Sequence, residues 1–171
     1  MWDTLAADAA AQSPLWRDAL RPPGDQEREP VFSVLAPPAY ALGLETIYEG
    51  YLVHYGRPRV FTPVDRDVAL LLGDYLYAHG LVRIAETRDV GAVSDLAELI
   101  SLCAQSRAAE RDGDGPAWAA TAASLGAGGL ELARRALRER GDSSVLDATA
   151  RAAAGDDAVD AALAAHGRLV G

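Results

Sequence analysis

The sequence predicts an all-α protein, and three observations carry this prediction. Alanine supplies 35 of the 171 residues and Phe only two, and Ala is the best helix former but a poor strand former. Apolar residues recur at helical spacing. Clusters of Pro and Gly divide the chain into segments of helix length. We therefore expect a single all-α domain over residues 1–171, long enough to bury a sizeable core.

Proline and glycine mark where the predicted helices end, since Pro disfavours helix in the residue before it and Gly ends helices cheaply. The breaks fall at Pro22-Pro23-Gly24, Pro37-Pro38, Gly56-Arg57-Pro58, Pro63, Asp112-Gly113-Asp114-Gly115-Pro116, Gly126 to Gly129, Gly141-Asp142 and Gly155. The segments between these breaks are predicted to be helices.

The longest predicted helices are in the first two thirds of the chain. One covers about 39–55 and the next about 64–86, with Pro63 suited to its start. The second is apolar nearly all round, which predicts a place in the middle of a bundle. Asp89 is the expected cap of a helix that follows. Shorter helices are expected at about 117–125, 129–140, 143–154 and 157–167, with Asp142 or Ser143, and Asp156, as caps.

Composition limits the classes of function. The chain lacks a run of about 18 apolar residues, so we expect no membrane span, and Met1 to Thr4 do not begin a secretory signal. The single cysteine, Cys103, lies on an apolar helical stripe and is expected to be a small buried hydrophobe. One cysteine cannot form an internal disulfide, which favours a cytoplasmic protein.

The charged residues further limit the partners and the chemistry that the sequence allows. The net charge is −9, and all 16 basic residues are Arg. An acidic surface disfavours nucleic acid and anionic membrane as partners. The absence of Lys excludes Schiff-base chemistry and the usual P-loop.

No grouping of side chains predicts a metal or a cofactor. Glu45 and Glu49 lie one turn apart, which is a possible ligand spacing but is typical of a solvated face. The three histidines are scattered, and His79 is expected to be a satisfied core residue. The segment from Asp156 to Asp160 spells DDxxD, but its place after Gly155 favours helix capping and dipole stabilisation over Mg²⁺ binding.

Several residues are candidates for a ligand pocket. Asp74 stands on an apolar helix and needs a partner there; a structural buried hydrogen bond is favoured over ligand contact. Tyrosines at helical spacing could line a pocket or be plain core. The candidates are Tyr48, Tyr51, His54, Tyr55, Asp74 and Tyr75.

Three segments, in order, resemble the polyprenyl (isoprenyl) diphosphate synthase family. Leu44 to His54 is similar to V-E-L-I-H-x-A-x-L-I-H, Gly56 to Val60 to G-x-P-x-V, and Leu71 to Ala78 to L-A-G-D-Y-L-L-A. The resemblance is clearest over about 40–105. The chain also resembles the small, aspartate-free subunit of two-component heptaprenyl diphosphate synthases.

The resemblance implies a helical bundle of the isoprenoid-synthase type, truncated, without the groups that the family's chemistry requires. Tyr55-Gly56 replaces the first aspartate cluster, and the second would begin beyond Gly171. Mg²⁺ held by such carboxylates neutralises the departing diphosphate. Arg57 and Arg59 are the remaining candidates for phosphate contact. No metal site and no cofactor are expected.

The resemblance therefore predicts a non-catalytic subunit or regulatory partner in isoprenoid biosynthesis. A half-built bundle leaves an apolar face open, so we expect a homo-dimer or a hetero-oligomer with a prenyl synthase. Three alternatives stay open: a stand-alone module that holds a prenyl or other lipid-like ligand, an active prenyltransferase or lyase with unusual ligands, and a generic helical bundle.

Overall fold

A computed structural model describes residues 1–170 and confirms the all-α prediction. In this part of the chain the helices are α1 (Trp2–Gln12), α2 (Pro14–Asp18), α3 (Ala41–Tyr55), α4 (Arg66–Glu86), α5 (Val90–Ala108), α6 (Asp114–Ala123), α7 (Glu131–Arg140), α8 (Ser144–Ala154) and α9 (Asp156–Val170). Short 3₁₀ turns cover Pro23–Asp25, Ser33–Leu35 and Pro38–Tyr40. Within residues 1–170 there is no strand, and Leu20 and Phe61 form an isolated antiparallel bridge.

Acidic side chains set where several helices begin. The Asp89 carboxylate accepts a hydrogen bond from Ala92 N at 2.9 Å and caps α5, as predicted. α4 is capped by Asp65, which accepts from Val68 N at 2.8 Å, so this helix begins beyond Pro63. α6 begins earlier than predicted, because Pro116 lies in its first turn, where a missing N–H breaks no helical hydrogen bond.

The DDxxD segment forms the start of α9 and is tied to α8. Asp156 is the first residue of α9 rather than a cap. Arg151 on α8 reaches Asp156 at 3.3 Å and Asp160 at 2.8 Å. The two outer acids therefore share a helix face, as the spacing predicts.

α3 is the central helix of the bundle, and α4 packs antiparallel against it. Residues 43–52 of α3 are all buried. Two pairs of glycines lie where the helices cross: Gly43 beside Gly80, and Gly50 beside Gly73. A Cβ at Gly50 would stand 3.0 Å from the carbonyl oxygen of Gly73, and one at Gly80 would stand 3.0 Å from that of Gly43. The absence of side chains lets the two backbones approach closely.

The predicted place of α4 in the middle of the bundle is wrong. Only Leu72, Gly73, Leu76, Gly80 and Ile84 of its 21 residues are buried. Its opposite side faces solvent, because α3 occupies the centre. By length and composition alone, α4 is apolar enough to cross a membrane, and a third of its most apolar window is buried inside the bundle.

Candidate functional site

Two carboxylates of α3 and one guanidinium form a buried charged cluster. Glu45 Oε2 accepts from Arg59 Nη1 at 2.7 Å, and Glu49 Oε2 accepts from Arg59 Nε at 3.0 Å. All three side chains are at most 1 % exposed. The expectation that Glu45 and Glu49 form a solvated face is therefore wrong.

The remaining carboxylate oxygens of this cluster hold two loops against α3. Glu45 Oε1 accepts from the backbone N of Val31 and of Ser33, at 3.1 and 3.2 Å. Glu49 Oε1 accepts from the backbone N of Arg59 and of Val60, at 2.8 and 2.7 Å. Every carboxylate oxygen in the cluster thus has a donor, and a metal ion would have to displace them.

The two arginines predicted to contact phosphate lie in different environments. The Arg57 side chain is half exposed and forms an ion pair with Glu27. Arg59 is buried, and its guanidinium carbon lies 4.6 Å from the centroid of the Trp2 ring and 4.9 Å from that of the Tyr48 ring. Two carboxylates and two aromatic faces therefore already surround the Arg59 guanidinium.

A second polar network joins α3, α5, α6 and α9. The Tyr51 hydroxyl donates to the Asp114 carboxylate, which also pairs with Arg107. Tyr48 Oη lies 2.8 Å from His166 Nδ1, and His166 Nε2 lies 3.7 Å from Asp114 Oδ1. These contacts fasten the ends of four helices together around one carboxylate.

Burial and partners shift the pKa values in this network. Burial by itself raises the pKa of the Asp114 carboxyl, but hydrogen bonding and the charges of His166 and Arg107 outweigh it and hold that pKa well below its usual range. Burial raises the pKa of the Tyr51 phenol, and the adjacent Asp114 adds to this. At neutral pH, Asp114 is therefore an anion and Tyr51 a neutral hydrogen-bond donor.

The six predicted pocket residues lie in three different environments, namely the core, the surface near the end of α3, and the contact with the N-terminal helices. Tyr48 and Tyr51 are at most 1 % exposed, and their ring centroids lie 5.9 Å apart. Both pack on Trp118 of α6, at 5.0 and 5.6 Å. These two tyrosines thus contact core side chains on several sides.

His54, Tyr55 and Asp74 form the group at the surface near the end of α3, and Tyr75 lies apart. His54 Nε2 is 3.2 Å from Asp74 Oδ1, and the Asp74 side chain is 67 % exposed. The expectation of a buried hydrogen bond at Asp74 is therefore wrong in its burial, although the partner exists. Burial lowers the pKa of His54 despite the nearby Asp74. Tyr75 stacks on Trp16 at 4.0 Å, against the N-terminal helices.

The residues that sequence reasoning missed are the distant partners of α3. Asp114 and His166 lie 63 and 118 residues from the tyrosines that they contact. A third buried pair was missed as well: Arg134 Nη1 of α7 lies 3.0 Å from Asp95 Oδ1 of α5. No local motif marks these contacts. The signal that could have been used is the presence of single charged residues within otherwise apolar helical stripes.

Metal-binding and nucleophilic groups do not converge in the part of the chain that the structure describes. Within residues 1–170, no group of three or more His, Cys, Asp and Glu side chains is arranged to hold a metal ion. Cys103 is 1 % exposed, and burial raises the pKa of its thiol, so it is a small buried hydrophobe, as predicted.

Large apolar side chains are exposed on the surface of α4 and at the start of α5. We call this surface the α4–α5 face. On α4, Leu70, Leu71 and Val82 are each more than half exposed, and Val90 at the start of α5 is 80 % exposed. The other apolar members are partly or fully exposed: Ala78, Leu81, Ala85, Val93, Ala97, Ile100 and Ala104.

The described residues define an all-α helical bundle with a buried polar interior on α3 and an apolar face on α4 and α5. Comparison of the chain with models of protein families, with curated proteins and with solved structures finds no match. The assignment to the isoprenoid-synthase type therefore stays a prediction from the sequence resemblance.

Proposed function

We propose that this protein is a non-catalytic helical subunit that acts by binding another protein chain through the α4–α5 face. The observation that carries this proposal is that Leu70, Leu71 and Val82 on α4 and Val90 on α5 are each more than half exposed. Exposed apolar side chains grouped on a helix pair are unfavourable in water, and large apolar patches mark interaction sites in soluble proteins.

The charged residues support a structural role in preference to a catalytic one. The carboxylate oxygens of Glu45 and Glu49 all accept hydrogen bonds from Arg59 or from two backbone segments, and Arg59 Nη2 is buried without a hydrogen-bond partner. Asp114 is held by Tyr51 and Arg107. Carboxylates with such sets of donors stabilise a fold, whereas a catalytic group needs a position open to substrate.

The sequence resemblance supplies the proposed pathway. A subunit similar to polyprenyl diphosphate synthases, but without their aspartate clusters, would serve isoprenoid biosynthesis by supporting a complete synthase or a second copy of itself. Prenyl binding is the less favoured alternative, since Tyr48 and Tyr51 pack against Trp118 and each other.

The test is affinity purification of the tagged chain from its own cells, in parallel with the Val82→Asp variant. Co-purifying proteins are identified, and each complex is rebuilt from purified components. Leu132→Asp is the matched control, because Leu132 is 78 % exposed on α7, outside the α4–α5 face. We expect Val82→Asp to lose the partner and Leu132→Asp to keep it. Equal recovery with both variants would contradict the proposal.

A further inference from the structure

We infer that residues 1–18 form a detachable strap, and that its release from α4 opens the buried charged cluster of Glu45, Glu49 and Arg59 to solvent. The strap consists of α1 and α2. This inference goes beyond the proposed function, because it concerns a different side of α4 from the α4–α5 face. Three features support it: a separate core under the strap, the absence of backbone hydrogen bonds across the contact, and polar atoms without partners beneath α1.

The side chains under the strap form a hydrophobic core of their own. Trp2, Leu5 and Ala9 recur at helical spacing on α1 and are at most 9 % exposed. Their cluster is separate from the main core around α3. Its other buried members are Ala19, Val60, Phe61, Leu72 and Leu76. A unit that has its own core can open without opening the main one.

The strap is joined to the bundle by its side chains and not by its backbone. Within the described chain, residues 1–18 make no backbone hydrogen bond beyond α2 and the two residues that follow it. The anchor comes directly afterwards. Thr62 N donates to the Ala19 carbonyl oxygen at 2.6 Å. Arg21 N donates to the Val60 carbonyl oxygen at 2.9 Å. The strap therefore hinges on a fixed point just after α2, and its release breaks no backbone hydrogen bond.

The polar contacts of the strap with the bundle centre on one carboxylate. Asp8 forms an ion pair with Arg83 of α4, and its Oδ2 lies 3.7 Å from His79 Nε2. Asp3 pairs with Arg28 at 2.8 Å, but the Asp3 side chain is 86 % exposed. Ion pairs between exposed groups contribute little to stability. Asp8 is therefore the main polar contact that holds the strap closed.

Three buried nitrogen atoms at the contact with α1 lack a hydrogen-bond partner in residues 1–170. They are Arg59 Nη2, His79 Nε2 and Arg83 Nε. The Trp2 ring covers the first of these side chains, and Asp8 contacts the other two. A buried polar atom that loses its bonds to water without gaining a partner is unfavourable. Release of the strap returns water to these atoms and so offsets part of the apolar contact that is lost.

The end of α1 lies over the buried charged cluster. The Arg59 guanidinium carbon is 4.6 Å from the centroid of the Trp2 ring and 4.9 Å from that of the Tyr48 ring. Tyr48 belongs to α3 and to the main core, whereas Trp2 belongs to the strap. When the strap leaves, one face of the guanidinium is uncovered. The strap is thus a lid that controls access to Arg59.

The first experiment is native-state hydrogen exchange on the full chain at low urea concentrations, resolved by peptide with mass spectrometry. We expect the amides of Ala6 to Gln12 in α1 to open on the order of 100-fold more often than those of Thr46 to Leu52 in α3. The opening of α1 should depend little on urea, because it exposes little surface. Equal opening and equal urea dependence of the two segments would overturn the inference, since the strap would then open only with the whole molecule.

The second experiment repeats the exchange measurement on Asp8→Asn, which removes the charge that faces Arg83. We expect exchange of α1 to become about tenfold faster, because a hydrogen bond to a charged group is lost, while exchange of α3 stays the same. Asp112→Asn is the matched control, because Asp112 is exposed in the loop before α6. An equal acceleration of α1 and α3 in Asp8→Asn would assign Asp8 to the stability of the whole fold and contradict a separate strap.

The third experiment measures access to Arg59 with phenylglyoxal, a reagent that modifies arginine side chains in contact with solvent. Arg134 is the internal control, because it is also buried and ion-paired but lies on α7. We expect Arg59 to be modified faster than Arg134. In Asp8→Asn the rate at Arg59 should rise about tenfold, in step with the exchange of α1, and the rate at Arg134 should not change. A rate at Arg59 that does not follow the opening of α1 would show that the strap is not its lid.

Discussion

The side chains of Glu45, Glu49 and Arg59 place two negative charges and one positive charge inside the bundle. Four backbone N–H groups donate hydrogen bonds to the two carboxylates and stabilise the excess negative charge. A buried charge without such partners costs several kcal/mol. The effect of removing one charge therefore depends on the sign of the charge that is left.

We predict that Arg59→Met destabilises the protein more than Glu49→Gln does. The first change leaves two buried carboxylates without a counter-charge and should lower the free energy of unfolding by about 3–5 kcal/mol. The second leaves one carboxylate and one guanidinium, and its cost comes mainly from the mismatch between the new amide and Arg59. Urea unfolding measures the loss of unfolding free energy in both variants. Equal losses would show that the charge left behind does not decide the cost.

The lowered pKa of Asp114 makes the free energy of unfolding depend on pH in the acid range. Its folded pKa lies below the ordinary value, which is about 3.9 in unfolded chains. The stabilisation from Asp114 is therefore fully present above about pH 4 and is lost as the pH falls through the folded pKa. We expect the difference in unfolding free energy between wild type and Asp114→Asn to shrink below pH 4. Urea unfolding of both proteins between pH 2 and pH 7 measures this difference, and a difference that stays constant over the range would contradict the prediction.

At the scale of elements, the crossing of α3 and α4 depends on glycine. Ala normally stabilises a helix by about 0.5–1 kcal/mol relative to Gly. At Gly80, however, a Cβ would stand 2.4 Å from Ile47 Cγ1 and 3.0 Å from the backbone oxygen of Gly43. Relief of these contacts requires the two helices to move apart.

We therefore predict that Gly80→Ala destabilises the protein by about 1–3 kcal/mol, the range found for overpacked cores. Gly167→Ala in α9 is the control, because nothing lies within 4 Å of its Cβ position. That variant should be neutral or slightly stabilising. Thermal unfolding of both variants measures the difference, and a gain in stability at Gly80 would show that the helices separate at little cost.

The sequence predicted most helices but not their places in the bundle. Pro and Gly breaks and the Asp89 cap act locally, so the ends of α3 and α4 and the start of α5 lie within about two residues of those expected. The choice between α3 and α4 as the central helix depends on tertiary contacts. The spacing of Glu45 and Glu49 predicted a solvated face on α3. The two carboxylates are buried because Arg59, in the loop after this helix, donates hydrogen bonds to both.

The candidate site was predictable only on α3 itself. Tyr48 and Tyr51 were identified by helical spacing, but their polar partners Asp114 and His166 come from α6 and α9. One sequence contains no signal that pairs residues so far apart. The packing of α6 and α9 against α3 brings them together.

For the whole molecule, Asp74 provides a sharp test of the α4–α5 face. It is the acid near the middle of the exposed side of α4, and His54 at 3.2 Å is its partner. Because burial keeps the pKa of His54 low, this histidine does not neutralise the carboxylate at neutral pH. Covering the face therefore carries an electrostatic cost at Asp74.

We predict that Asp74→Leu tightens the binding of the partner chain to the α4–α5 face by about tenfold, the effect of a change of about 1.4 kcal/mol. Sedimentation equilibrium measures the dissociation constant. Asp157→Leu on α9 is the control and should leave the constant unchanged. Weaker association of Asp74→Leu would mean that the carboxylate contributes a favourable contact to the partner.

The burial of Cys103 offers a direct way to time the opening of the bundle. Its thiol lies in the core contributed by α5 and is reachable only when that core separates. The rate at which a thiol reagent modifies the native protein should therefore report transient exposure of the interior, without any introduced label. A partner chain bound over the α4–α5 face would slow that modification, so the rate at this one natural thiol can report both the opening of the core and the assembly of the complex.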